Sequence, residues 1–256
     1  MLDYAAFPQQ RQALICQILQ EDGRVVCADL AQRLQVSEHT IRRDLHELSK
    51  EGYCKKVYGG AVMTLPESME YNERKEKNRA TKSRIAQKCA QLVKPGGCIF
   101  IDTGTTNLAM AEALPGELAL TVVTNSPEIA AVLLKKPLYE VVMLGGLVQR
   151  AAGGCVGASA VAQVQGILFD QGFIGGCAMA PESGLTGFDH ADCEFKKAVI
   201  KQCSEIIVGL TSDKIPAVAR FVVAESSAID VLVVEENISR KYRDAFREHE
   251  IRIYTV

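Results

Sequence analysis

The tightest constraint on this chain is the run from Val36 to Leu48, VSEHTIRRDLHEL. Ser37 is a helix N-cap residue, because its hydroxyl can accept from a first-turn amide that has no partner within the helix. Ile41, Leu45 and Leu48 then recur at spacings of four and three, which gathers them on one face to be buried. His39, Thr40, Arg42 and Arg43 are left on the other faces, near the front of the helix. That pattern alone describes any amphipathic surface helix, but the residues before it narrow the reading. Leu30, Ala31 and Leu34 mark a short helix over about Cys27–Arg33, and Gln35-Val36-Ser37 is a tight joint between the two. Two short helices across such a turn form a helix-turn-helix, whose second helix enters the major groove. There an arginine can chelate guanine and a threonine can donate to a phosphate. Ser37, His39, Thr40, Arg42 and Arg43 are therefore the expected DNA contacts. Glu51-Gly52-Tyr53 ends the helix, and CKKVYGGAV reads as a small hairpin, a wing that sets Lys55 and Lys56 against the DNA backbone.

These residues carry a resemblance. RQALICQILQEDGRVV, followed by LAQRLQVSEHTIRRDLHELSKEGYCKKVYGGAV, resembles the winged helix-turn-helix of DeoR-type bacterial regulators. TIRRDL and the basic-aromatic-GGA ending are its most specific parts. Where the family pattern has a histidine before the two glycines this chain has Tyr58, a ring that can also pack or donate beside a phosphate.

A chain of 256 residues has room for a small domain and a larger one. The pattern divides it into a winged helix-turn-helix over 8–63, a linker over 64–80 and an effector-sensing, oligomerising domain over 81–256. Hydrophobic residues at 48% and charged residues at 23% exclude a disordered chain. Charge is distributed unevenly: residues 1–62 hold eight basic and eight acidic residues, 72–88 hold seven and two, and 89–256 hold fourteen and nineteen. A head without net charge can still present a positive helix face. The basic residues of the linker suit either a solvated surface or a brush against DNA. The opening MLDYAAF has no basic n-region, and no apolar run approaches the length of a membrane span. Nine cysteines, never spaced as CxxC, suggest reduced thiols and a cytoplasmic protein. His190, Asp192 and Cys193 could be set against a zinc ion, but neither metal nor cofactor is expected.

Past the linker, short apolar runs alternate with helical ones: CIFI, AMAEAL, LALTVVT, PEIAAVLL, YEVVM, then FDQGFI, EFKKAVIKQC, EIIVGL, AIDVLVV, SRKYRDAFREHE and RIYTV. This alternation implies an α/β fold, a mostly parallel, doubly wound sheet covered on both faces. In such sheets ligands bind beyond the carboxyl ends of strands. DTGTTN occupies such a place, with Asp102, backbone access at Gly104, hydroxyls at Thr105 and Thr106, and a helix start behind them. Asn125 and Ser126 repeat the arrangement after the next strand and Gly145 and Gly146 after the third, while Lys214 in TSDK supplies positive charge. The set suits a small phosphorylated or polyhydroxylated ligand, although Thr and Asn also cap helices routinely.

This half too resembles the family. FIDTGTTN, LTVVTNS, VMLGG, FDQGFIGG, the Gly184-Leu185-Thr186 loop, EFKK and TSDK follow the order of the DeoR sensor domain. That resemblance implies a fold similar to ribose-5-phosphate isomerase and a phosphorylated sugar as effector. It also brings Glu194 and Lys197 to the site. The isomerase's paired acids and catalytic lysine are missing from FIGGCAMAPESG, and Glu194 with Lys196 and Lys197 does not replace them. The expected protein is thus a non-enzymatic, homo-oligomeric (dimeric or tetrameric) repressor of a carbohydrate-utilisation operon, with operator DNA and a phosphorylated sugar as partners and no membrane association. The alternative is a sugar-phosphate isomerase or CoA-transferase-like enzyme with an attached DNA-binding head.

Overall fold

The computed structural model describes residues 7–63 and 71–256. Its first part consists of α1 (Pro8–Asp22), β1 (Arg24–Val26), α2 (Cys27–Leu34), α3 (Glu38–Lys50), β2 (Cys54–Val57) and β3 (Gly60–Met63). Ile15, Leu19, Leu30, Leu34, Ile41, Leu45 and Leu48 share one core, so the apolar stripe of α3 is buried as its spacing requires. The wing is antiparallel, with β3 between β1 and β2. Gly60 is required there, since a Cβ at that position would come within 1.9 Å of the Val25 carbonyl oxygen.

Two helices follow, α4 (Tyr71–Glu76) and α5 (Arg79–Gln91). The described part of the expected linker is therefore helical except for a turn at Lys77 and Asn78, and residues 64–70 lie outside the described residues.

The larger part runs β4 (Cys98–Ile101), α6 (Thr105–Ala113), β5 (Leu120–Thr124), α7 (Pro127–Leu133), β6 (Tyr139–Met143), β7 (Leu147–Gln149), β8 (Gly154–Val156), α8 (Ala158–Val164) and β9 (Gln171–Ile174). It continues with β10 (Ala178–Ala180), β11 (Gly184–Gly187), α9 (His190–Ile200), β12 (Ile206–Gly209), β13 (Phe221–Ala224), β14 (Val231–Val234), α10 (Arg240–Glu248) and β15 (Arg252–Thr255). Seven strands form one sheet in the order β15-β14-β12-β9-β4-β5-β6, and every pairing in it is parallel. Alternate residues feed two cores: Ile99, Ile101, Val122 and Phe173 meet α5, α6 and α7, while Phe100, Val123 and Ile174 meet α8 and α9. Burial on both faces is why these strands read as unbroken apolar runs. The α/β, doubly wound reading holds. Chain order reverses direction between β4 and β9, and at such a switch point the loops beyond the strand ends part to leave a crevice.

A three-stranded antiparallel sheet, β10-β11-β13, and the hairpin β7-β8 sit outside the main sheet. No helix among the described residues is long and apolar enough to cross a membrane.

Candidate functional site

The first candidate surface is α3 and the wing. Ser37 caps α3 by accepting from the Thr40 amide at 3.1 Å, and its hydroxyl also lies 2.9 Å from that of Thr40. Ser37 is thus occupied in shaping the helix start. Arg42 and Arg43 stand outward, their side chains 62% and 77% exposed, and pair with Glu38 and Glu47 on their own helix. His39, Lys55 and Lys56 are exposed as well, and Tyr58 projects from the wing tip. Asp44, the acid within TIRRDL, does something the motif did not disclose. It is buried and pairs with Arg11 of α1 through two hydrogen bonds of 2.5 and 2.9 Å, which ties α3 to the first helix.

The second site is a cavity of about 180 Å³ at the carboxyl ends of β4, β9 and β12. Its wall includes Gly104, Thr105 and Thr106 at the start of α6, with Gly175 and Gly176 after β9 and Lys214 after β12. Gly104 has φ +140°, a conformation that side chains other than glycine's rarely adopt. A Cβ at Gly175 would approach the Thr103 carbonyl oxygen to 2.7 Å.

Three cations come from a place the sequence did not point to. Arg74 and Lys77, from the charged stretch read as linker, and Lys82, at the start of the sensor domain, line this cavity. Arg74 donates to the Ala151 carbonyl at 2.5 Å, but its buried Nε has no hydrogen-bond partner among the described residues. Lys77 meets Asp213 at 3.0 Å. Burial lowers the Lys82 ammonium to about 8, helped by repulsion from Lys214 and Arg74. Burial lowers Lys214 too, and its Nζ donates to the Gly176 carbonyl at 2.9 Å.

The cavity wall also carries a cluster of buried charges. Lys196 sits between Asp192, one helical turn away on α9, and Asp102 at 3.6 Å. Burial opposes its charge, yet the two carboxylates hold the ammonium above its ordinary range. Burial pushes the Asp102 carboxyl upward, against the pull of Lys196. Asp192 and Lys196 line the cavity. Asp192 Oδ1 is buried without a hydrogen-bond partner, an arrangement that native structures seldom leave unanswered.

Several expected site residues are placed elsewhere. Asp102 is fully buried behind the wall, accepting from the Gly175 amide at 2.8 Å, so it supports Lys196 rather than facing the cavity. Asn125 is also fully buried: it accepts from the Thr103 amide and donates to the Cys155 carbonyl, both at 3.0 Å. Ser126 caps α7. Gly145 and Gly146 are exposed, away from the cavity, with Gly145 bonded to Gln163. Glu194 and Lys197 pair with each other at 2.7 Å on the outer side of α9. A spacing of two from Asp192 turns Glu194 to the opposite side of a helix. The i, i+4 spacing of Asp192 and Lys196 was the signal in EFKK's surroundings that marks the inward face. All nine cysteines are free, and no cluster among the described residues could hold a metal ion.

Known proteins share both halves. Residues 11–66 match the DeoR-like helix-turn-helix domain, and residues 77–236 match the DeoR C terminal sensor domain. The HTH-type transcriptional regulator GolR of Listeria innocua is 31% identical, over 93% of this chain and 96% of its own. The glycerol-3-phosphate regulon repressor of Escherichia coli K12 is 28% identical, over 95% of this chain and 97% of its own. Among solved structures, ribose 5-phosphate isomerase A of Methanocaldococcus jannaschii aligns over 54% of this chain and 55% of its own, with 19% identity and a TM-score of 0.40. With family models matching both the head and the sensor, this chain belongs to the DeoR family of transcriptional regulators.

Proposed function

We propose that this regulator represses a carbohydrate-utilisation operon and responds to a phosphorylated sugar bound between β4, β9 and β12. One observation carries the reading: Arg74, Lys77, Lys82 and Lys214 line the same cavity as the start of α6, and Lys82 lies close enough to the other three to feel their charge. A helix N-terminus flanked by cations suits a phosphate dianion. Asp192 and Lys196 line the same cavity, where an acceptor and a donor suit hydroxyl groups. Asp102 and Asn125 fix the wall behind them, and Ser126 the neighbouring helix start.

In the head, Arg42 and Arg43 read base edges, Ser37 and Thr40 set the helix start against a phosphate, and Lys55, Lys56 and Tyr58 grip the backbone. His39 lies on the same face. A homo-oligomer, dimer or tetramer, presents paired heads to a symmetric operator, since paired heads read two half-sites. The name of the Escherichia coli relative, a glycerol-3-phosphate regulon repressor, supports a small phosphate ester as effector.

The test is a thermal-shift screen of phosphorylated sugars, each beside its unphosphorylated form. A true effector raises the unfolding temperature by mass action, and the unphosphorylated sugar does not. A screen in which no phosphorylated sugar acts contradicts the reading. Conversion of ribose 5-phosphate to a ketose would favour the isomerase alternative instead.

A further inference from the structure

We propose that residues 211–219 form a coupling segment, held at one end by the cavity and at the other by the DNA-reading head, so that an anion in the cavity loosens the head from the sensor. The proposal rests on the reading of that cavity as an anion site and adds how its occupancy reaches α3.

The head is docked on the sensor at one corner. Gly23, with φ +67°, ends α1, and the Pro216 ring fills the space beside it: a Cβ there would lie 2.0 Å from Pro216 Cγ. The Val218 amide donates to the Met63 carbonyl at 3.3 Å. Val62 packs with Ala180 and Val218. Arg24 pairs with Glu182, and the Tyr242 hydroxyl donates to the Asp22 carbonyl. These contacts join the α1–β1 turn and the end of β3 to residues 215–219, the β10 edge and α10.

The same segment begins in the cavity wall. Asp213 accepts from Thr211 at 2.5 Å and meets Lys77 at 3.0 Å, which keeps its carboxyl below the ordinary range despite burial. Lys214, two residues before Pro216, donates to one acceptor among the described residues, the neutral Gly176 carbonyl, with Asp213 near enough to act on its charge. A phosphate is a stronger acceptor for an ammonium than a carbonyl. An anion therefore draws Lys214 away from Gly176 and moves the segment that carries Pro216 and Val218. On the head side the displacement has a short route. Gly23 and Met63 are joined backbone to backbone at 2.7 Å, and β1 runs directly into α2, whose first amide, Cys27, is held by the Gly59 carbonyl at 2.7 Å. A ligand shifts an equilibrium only through unequal affinity for its two states. The Lys214 partner exchange supplies that inequality.

Hydrogen exchange of the full-length protein, read by mass spectrometry, tests this with inorganic phosphate as the probe. Phosphate is expected to slow exchange over 103–108 and to speed it by about fivefold or more over 211–219 and 22–26, the lower end of usual coupling factors. Glu182→Ala combined with Tyr242→Phe alters neither the cavity nor α3. In that variant 22–26 is expected to exchange fast from the start, with phosphate still slowing 103–108. Wild-type protein in which 103–108 responds and 22–26 does not would overturn the proposal. If 103–108 itself ignores phosphate, the anion-site reading fails, and Lys214→Gln decides the coupling alone. Faster exchange over 22–26 in that variant supports the segment, and unchanged exchange there overturns it.

Discussion

The head and the sensor cavity both use cations, in opposite ways. On α3 the cations stand in water, each held by a glutamate on its own helix: Arg42 with Glu38, Arg43 with Glu47. Such exposed pairs are worth about 0–1 kcal/mol, so either arginine can leave its glutamate for a base edge with little loss. In the cavity Lys77 is still half exposed, but other cations are withdrawn from solvent before any ligand arrives. Lys82 and Lys196 are 6% and 5% exposed, and Arg74 Nε is buried without a hydrogen-bond partner among the described residues. A large, highly charged partner such as DNA can reorganise exposed side chains as it docks. A small ligand contributes few contacts, and its site must be ordered beforehand.

The sharpest way to test that contrast is inside the head itself, where one ion pair is built like those of the cavity. Asp44→Ala removes the carboxylate paired with the buried Arg11, and breaking a buried pair costs about 3–5 kcal/mol. Thermal unfolding of this variant should show early loss of the head, with operator binding lost as well. A change under about 1 kcal/mol would mean that this pair behaves like a surface one.

Next in size is Lys214→Ala. A hydrogen bond to a charged group contributes about 1.5–3 kcal/mol, so titration calorimetry with the sugar phosphate that acts on wild type should show roughly ten- to a hundred-fold weaker binding. Arg43→Ala or Arg42→Ala should each lose about 1–3 kcal/mol of operator affinity at fixed salt if it reads a base, with effector binding untouched. Unchanged operator affinity in both would remove α3 from the interface.

A smaller effect is set by pH. Lys82 titrates in the folded protein at about 8, down from 10.5. Burying its charge disfavours the folded state below pH 8, and that penalty lifts as pH rises from about 8 to 10.5. Effector affinity runs the other way, because only the protonated amine attracts phosphate, whose second ionisation is complete above its pKa of about 6. Affinity is expected to fall as pH rises through about 8 and to lose that dependence in Lys82→Met. The smallest effect is the cap: Ser37→Ala should lower head stability by about 1 kcal/mol, measured by denaturant unfolding.

The sequence made the head legible because helix spacing, cap and turn are all local. Ile41, Leu45 and Leu48 are buried and Ser37 caps, as their order alone implies. The parallel sheet was equally plain, since strands buried on both faces are apolar throughout. The small sheet β10-β11-β13 was not, because three- and four-residue strands rich in glycine and alanine show no period. The cavity was half visible. DTGTTN and TSDK announce their loops, yet which side chains face inward depends on tertiary packing. Glu194 and Lys197 carry the right charges on the wrong face of α9, and Asp192 and Lys196 hold the inward one. Arg74, Lys77 and Lys82 reach the cavity from a segment whose composition says only that it is charged. Asp44 and Asp102 were hidden for the same reason, their partners lying 33 residues away in Arg11 and 94 away in Lys196.

The most direct test of the account joins its two halves in one titration. Operator binding is followed by fluorescence anisotropy at fixed salt, with and without the phosphorylated sugar that stabilises the protein, for wild type and Lys214→Ala. The account predicts that the sugar changes wild-type operator affinity by about 5–150-fold. Lys214→Ala, which lacks the bond to the Gly176 carbonyl, should bind operator with an affinity shifted toward that of sugar-bound wild type and hardly respond to the sugar. Wild-type affinity that no phosphorylated sugar alters, or a full response in Lys214→Ala, would contradict it.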